Sequence, residues 1–283
     1  MAAAAQVNIE LDRLSRRNFD RLARYIQSYA GIKMPETKLT MLEGRLRRRV
    51  RDAGFATIND YCDYIFEHGG LEQESVALID LATTNKTDFF RESKHFDVLE
   101  SDILPFLAKE GVTRIRIWSA ACSTGAEPYT LAMVLQDFCN ANRNIDYKII
   151  ATDLCTDVLA TARRGIYPVE MIDPVPDHMA RRYVMRPVQQ DRGEVRIHPS
   201  LRAKVEFARH NLMDRKYDVG GAVHMVFCRN VLIYFDRQTQ SQVLSRLVDC
   251  LTPGGFLFVG HSESASGFDL PIKQVANTIF RKV

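Results

Sequence analysis

Apolar positions in the first eighty residues repeat at helical spacing. Phe19, Leu22, Ile26 and Tyr29 form one stripe, ended by Gly31. Leu39, Leu42, Leu46 and Val50 form a second, ended by Gly54. A third helix is predicted near Thr57 to Glu67, with Ile58, Tyr61 and Ile65 on one side. The polar cluster Thr83 to Asp88 breaks this rhythm, and Thr87 is placed to cap whatever helix follows. A helical domain is therefore expected over residues 1–80, with a second domain over 81–283.

The second domain has a different pattern. Strands are predicted at 114–120, 147–153, 204–208, 223–229 and 255–260, with helical patterns between most of them. That alternation predicts an α/β fold, a doubly wound and mostly parallel sheet. Residues 275–283 alternate enough to close it as an antiparallel strand. One segment departs from the rhythm. Five of the ten prolines (Pro168, Pro174, Pro176, Pro187 and Pro199) lie between Tyr167 and Pro199. Within it, 183–186 and 194–198 flank a turn at Asp191-Arg192-Gly193, which predicts an inserted β-hairpin over about 167–202. Such an insert offers edges to an extended peptide; a lid or a structural insertion fits the pattern equally.

The chemistry concentrates at strand ends. Residues 114–120 alternate, Ala121 to Gly125 are small, and Leu131, Val134, Leu135 and Phe138 then share a helix face. Pro128 sits where that helix begins. Strand, tight loop and helix make a ligand site in doubly wound folds. The loop carries one glycine, Gly125, so neither the three-glycine dinucleotide fingerprint nor a phosphate-binding P-loop is present. The next strand ends in Asp153, where an acid accepts ribose hydroxyls. A nucleoside without phosphates points to S-adenosylmethionine (SAM); a structural turn and a helix-capping Asp153 are the alternative. The strand His224 to Cys228 likewise runs into Arg229 and Asn230, with Tyr234 close behind. Asn230 and Tyr234 are expected at the same crevice, unless Asn230 caps a helix and Tyr234 is a rim aromatic.

Composition narrows the class. An apolar fraction of 46% is ordinary for a globular protein, and no run of 18 apolar residues exists, so no membrane span is expected. Met1 to Gln6 lacks a secretion signal and reads as a flexible tail. Six cysteines without a C-x-x-C pair suit buried thiols in a cytoplasmic protein, and no metal is expected. A net charge of +3 gives no reason to invoke nucleic acid. The distribution is more telling. Lys38, Arg45, Arg47, Arg48, Arg49 and Arg51 share one side of the second helix, against Glu36, Glu43 and Asp52. This face attracts an acidic partner or is simply a solvated surface.

Several blocks together carry a family resemblance. They are Thr83-Thr84-Asn85 with Thr87 to Arg91, Ser119 to Tyr129, Ala151 to Leu154, Gly165-Ile166-Tyr167, Val205-Glu206-Phe207 with Asn211-Leu212, Cys228 to Asp236, and Gly260 to Ser264. In this order they resemble the bacterial chemotaxis-receptor glutamate O-methyltransferases of the CheR type, over roughly residues 10–283. The resemblance implies a class I SAM-dependent methyltransferase domain with an all-α N-terminal domain and a small inserted antiparallel β-subdomain. Family cofactor contacts fall on Asn85, Thr87, Arg91, Glu127, Asp153, Asn211, Leu212, Asn230 and Val231. Arg91 and Tyr234 match the residues proposed to act at the substrate glutamate. The basic helix, here Arg45, Arg48, Arg49 and Arg51, would meet the cytoplasmic methylation region of a membrane chemoreceptor. In some members the β-subdomain binds a receptor C-terminal peptide. Ala126 stands where some relatives carry an acid, so only Glu127 is carried over.

Competing classes fit less well. An amino-group methyltransferase would place an acid or amide before Pro-Pro and an aromatic, where this chain has Arg229-Asn230-Val231-Leu232. A pyrimidine-carbon methyltransferase would need a nucleophilic cysteine, usually after proline; Cys228 follows Phe227 inside a strand. A SAM-binding adaptor would have no need of Arg91 and Tyr234.

Overall fold

The computed structural model describes residues 12–187 and 193–283. The Met1–Gln6 tail, and Asp191 and Arg192 of the predicted turn, lie outside the described residues. Two compact units are present, Met1–Thr83 and Thr84–Val283.

The first unit contains α1 (Arg16–Ala30), α2 (Leu39–Asp52), α3 (Ile58–Glu67) and α4 (Leu71–Ala82). Ser15 starts α1 by accepting a hydrogen bond from the Asn18 amide, and Gly31 ends it at φ 72°. Thr57 starts α3 the same way, through the Asp60 amide. The stripes meet in a core of Phe19, Leu22, Ile26, Leu42, Leu46, Val50, Ile58, Tyr61 and Ile65. Burying each large aliphatic contributes about 1.5–3 kcal/mol. Tyr29 and Leu39 are only partly covered. The last helix runs through Ala82, past the expected boundary at residue 80.

The positive face of α2 is narrower than its sequence suggests. The Arg49 guanidinium grips Glu74 of α4 with both arms, at 2.7 and 2.6 Å, and the Tyr61 hydroxyl donates to the same carboxylate. Arg45 donates to the Leu81 and Thr83 carbonyls at 2.7 and 2.6 Å, satisfying the end of α4. Of the four arginines expected to face a partner, Arg45 and Arg49 thus work inside the unit, while Arg48 and Arg51 are exposed.

In the second unit, α5 (Lys94–Val98) and α6 (Leu104–Lys109) flank a π-helical turn. Thr87 is therefore not a helix cap; the next helix begins only at Lys94. Then come β1 (Arg114–Ala120), α7 (Ala126–Ala141), β2 (Asp146–Asp153), α8 (Thr156–Arg164), β3 (Ile166–Pro168), α9 (Asp177–Tyr183), β4 (Val184–Met185), β5 (Glu194–Ile197), α10 (Pro199–Arg202) and β6 (Val205–Arg209). The chain ends with β7 (Val223–Cys228), α11 (Arg237–Asp249), β8 (Leu251–Val259), β9 (Ile272–Ala276) and β10 (Ile279–Lys282).

The main sheet has the order β6-β2-β1-β7-β8-β10-β9. β6, β2, β1, β7 and β8 run parallel; β10 is antiparallel to both its neighbours, β8 and β9, so β10 alone is reversed. The single closing strand expected from the sequence is thus a hairpin of two. Strand order reverses between β1 and β7, so a crevice opens at the carboxyl ends of β2, β1 and β7. Trp118 of β1 is fully buried and donates to Thr152 Oγ1 at 2.9 Å, locking β1 to β2. The Phe227 and Phe258 rings stack at 4.0 Å between β7 and β8.

The insert is a three-stranded antiparallel sheet, β3-β5-β4. Val184 pairs with Ile197 and Met185 with Arg196, so the two segments expected to form the hairpin are paired antiparallel. β3 adds a strand that the sequence did not announce.

Candidate active site

Five loops converge on the crevice. The first, Ala121–Gly125, joins β1 to α7 under tight constraint. Gly125 has φ 92°, and a Cβ there would lie 2.9 Å from both Ala162 Cβ and the Tyr167 hydroxyl. That hydroxyl donates to the Thr124 carbonyl at 2.7 Å, so β3 of the insert pins the loop. The single glycine is thus demanded by packing against α8 and β3. Pro128 is the third residue of α7, still within the first turn, where no intrahelical donor is required.

Asp153 ends β2 at 8% exposure. Its two oxygens accept from the Ser123 amide at 2.8 Å and the Cys155 amide at 2.9 Å. The carboxylate therefore ties the first loop to the start of α8. Ser123 Oγ in turn donates to the Asn85 carbonyl at 2.8 Å, and the Asn85 amide reaches Cys155 Sγ at 3.5 Å. This links the second loop, residues 84–93, to the first. Thr87 and Arg91 are half-buried on that second loop, where an Arg91 arm donates to the Lys86 carbonyl at 2.9 Å.

The third loop follows β7. Arg229 there is almost wholly covered, its side chain 2% exposed. It donates to Glu92 Oε2 at 2.9 Å, to Glu127 Oε2 at 3.1 Å, and to the Arg91 carbonyl. Glu127, in the first turn of α7, also accepts from Ser119 Oγ at 2.7 Å. Asn230 turns its amide to Glu92 Oε1 at 3.1 Å. The fourth loop supplies Glu263, which accepts from the amides of Asn230, Gly260 and Ile233 at 2.8, 2.6 and 3.3 Å. Glu263 thus templates the loop that carries Val231 and Tyr234, both half-buried. On the loop after β6, Asn211 Oδ1 accepts from the Met213 amide at 3.0 Å and Leu212 is buried.

The backbone is strained where these loops meet. Phe90, Glu92, Ala121, Ser123 and Asn230 all have positive φ, between 51° and 67°. Left-handed non-glycine residues cost about 1–3 kcal/mol each and gather at functional sites.

The two carboxylates around Arg229 differ. Burial alone would raise Glu92, but hydrogen bonds from Asn230 and Arg229, with the guanidinium charge, bring it down to about 2. For Glu127 burial prevails over Arg229 and Ser119 and pushes its carboxyl up. Glu92 is therefore the firm counter-ion of Arg229. Glu127 is a buried acid that gains from a further positive group, such as a cofactor's ammonium. The donor set fits SAM: an acid at the end of β2, a buried acid at the start of α7, and no phosphate cradle.

Similarity to known proteins follows the same two units. Residues 17–83 match the all-alpha domain of CheR methyltransferases, and residues 85–280 match the CheR methyltransferase SAM-binding domain. The chemotaxis protein methyltransferase of Borreliella burgdorferi is 38% identical, covering 92% of this chain and 91% of that one. That of Escherichia coli is also 38% identical, covering 94% and 91%. Chemotaxis protein methyltransferase 2 of Pseudomonas aeruginosa is 35% identical, covering 94% and 93%.

The chain belongs to the CheR methyltransferase family. It is a SAM-dependent methyltransferase of chemotaxis, with an all-α N-terminal domain, a mostly parallel seven-stranded sheet and a small antiparallel sheet. Among the described residues no helix is long and apolar enough to cross a membrane.

The geometry joins Asn85 and Asp153 in one network through Ser123 and Cys155, and Arg91, Glu127 and Asn230 in a second through Arg229 and Glu92. Three residues that sequence reasoning assigned no role belong to the second: Glu92, Arg229 and Glu263. All three stand inside the quoted motif blocks or beside them, yet only the folded contacts show what they hold. Glu92, His95 and His261 also bring three possible metal ligands together. The Glu92 carboxylate, however, already accepts from Arg229, Asn230 and the His261 amide. The adjacent guanidinium also repels a cation.

Proposed function

We propose that this enzyme methylates glutamate side chains on the cytoplasmic helices of membrane chemoreceptors, giving glutamate methyl esters, and that it acts in the cytoplasm. The observation that carries the reading is the near full-length match to the chemotaxis protein methyltransferases of B. burgdorferi and E. coli, with Arg91 and Tyr234 both present on the crevice loops. Bound SAM would supply a sulfonium methyl for transfer to a carboxylate oxygen, leaving S-adenosylhomocysteine.

The residues divide the work. Asp153 would hold the ribose, and Glu127 the amino group of the methionyl end. Asn85, Thr87, Asn211, Leu212, Asn230 and Val231 would line the rest. A glutamate side chain is already ionised near neutrality, with a pKa of about 4.3, so no general base is required. Opposite charges cancel during the transfer, which favours a site that excludes water and fixes alignment. A guanidinium clasping the nucleophile would hold its charge back. Arg91 therefore suits the methionyl carboxylate or a steering contact better. Tyr234 can give the substrate oxygen one neutral hydrogen bond.

On the helical unit, exposed Arg48 and Arg51 would meet the acidic receptor helix. In the insert, β4 is an edge strand with Met185 exposed, where a receptor C-terminal peptide would add. Incubation with methyl-labelled SAM and receptor-rich membranes tests the reading. Base-labile label on receptor glutamates is expected; label on lysine, on nucleic acid or on nothing would reject it.

A further inference from the structure

We infer that Arg229 is a positioning residue for methyl transfer: through Glu92 and the Arg91 carbonyl it sets the turn that presents Arg91, and through Glu127 it sets the acid offered to the cofactor. The inference rests on the crevice proposed above.

Arg91 stands between two left-handed residues, Phe90 at φ 52° and Glu92 at φ 57°. Such a turn persists only where its surroundings over-determine it. Thr130 holds one side, accepting from the Phe90 amide at 3.1 Å. The other side is held at the Glu92 carboxylate by Arg229 at 2.9 Å, Asn230 at 3.1 Å and the His261 amide at 3.2 Å. Arg229 adds a bond to the Arg91 carbonyl itself. Its fork also reaches α7 at Glu127, so one rigid plane joins the second loop, the start of α7 and the end of β7. A lysine has neither the plane nor the reach for three acceptors.

Fold stability alone is a weak account of this arrangement. Burying an ion pair costs desolvation that its attraction roughly offsets. Nor can the guanidinium touch a substrate directly, being 2% exposed. It acts through Arg91 and Glu127.

A double-mutant cycle on the full chain tests this. The variants are Glu92→Gln, Arg91→Ala and the pair, each read by receptor methylation at saturating SAM, S-adenosylhomocysteine affinity by calorimetry, and thermal midpoint. Glu92→Gln, nearly isosteric, is expected to lower turnover about tenfold to a hundredfold, as misplacement of a group that aligns the reactants does. With Arg91 already removed, the same change is expected to cost less than about twofold, the mark of coupled residues. Equal loss in both backgrounds, or no loss in either, overturns the inference while leaving the crevice reading intact. Arg91→Ala alone leaving turnover and cofactor affinity unchanged overturns the crevice reading, and this inference with it. Arg229→Lys, which keeps the charge, is expected to fall with Glu92→Gln; full activity in a folded Arg229→Lys also overturns it.

Discussion

At the scale of single residues, the site separates binding from chemistry, and substitutions should do the same. Asp153 lies deep and carries two backbone amides as well as the proposed ribose contact. Asp153→Ala is expected to lose S-adenosylhomocysteine affinity by about 1.5–3 kcal/mol for each charge-assisted ribose bond, measured by calorimetry. Tyr234→Phe removes only a hydroxyl at the substrate side. It should lower turnover and leave that affinity nearly unchanged; a large loss of cofactor binding would remove Tyr234 from its assigned place. His95 makes a different prediction, about pH. Its ring is buried beside Glu92 and His261, with Nε2 2.8 Å from Thr278 Oγ1. Burial, then the Arg229 charge, bring it from the ordinary 6.5 down to about 4. Below pH 6.5 the unfolded chain takes up a proton that the folded chain refuses, so stability falls as pH drops from 6.5 towards 4. The loss should reach about 3 kcal/mol, and His95→Asn should flatten that part of the denaturation profile. Glu92, brought down to about 2, adds its own loss only at more acid pH.

At the scale of elements, what the sequence revealed depended on how each element is buried. β1, its loop and α7 were legible because one strand is covered on both faces and the helix packs a continuous apolar stripe. β9 was not, because an edge strand with little buried surface carries almost no alternation. The crevice acids divided similarly. Asp153 follows from its position at the end of a strand, and Glu127 from the family resemblance alone. Glu92 does not, since its partner Arg229 is brought to it only by the strand order that sets β7 beside β1. The basic helix shows the opposite error, in which spacing overcounts. A charge run on α2 cannot reveal that Glu74 and Tyr61 await Arg49 from α4 and α3. This divides the arginines by experiment. Arg49→Ala leaves the Glu74 carboxylate buried without its cation and should destabilise the helical unit by roughly 2–4 kcal/mol in chemical denaturation. Arg48→Ala should leave the midpoint within about 0.5 kcal/mol and instead weaken receptor methylation. Loss of stability in both variants, with receptor methylation intact in the Arg48 one, would make the whole face structural.

At the scale of the molecule, charge is arranged by unit and then within a unit. Residues 1–83 hold twelve Lys or Arg and twelve Asp or Glu, a balance of zero, so the net +3 belongs to residues 84–283. Along the chain its last cation is Arg51, whereas Asp60, Asp63, Glu67, Glu72, Glu74 and Asp80 all follow. In the fold, Glu67 and Asp63 pair with Arg17 and Arg21, and Glu74 with Arg49. A neutral unit that keeps Arg48 and Arg51 exposed can orient an acidic helix without binding acids at large. The second unit, for its part, has a hydrophobic core drawn wholly from its own residues, Phe89 to Ile279. Cofactor binding and receptor reading should then be separable. Residues 84–283 expressed alone are expected to bind S-adenosylhomocysteine within about threefold of the full chain, a difference below ~0.7 kcal/mol. The same fragment should lose receptor methylation. Retained methylation would mean that the substrate is read by the catalytic unit itself, and that the exposed arginines of α2 serve something else. Loss of cofactor binding in a folded fragment would mean that the helical unit helps to build the crevice, which the residues assigned to the crevice, all from 85 onward, give no reason to expect.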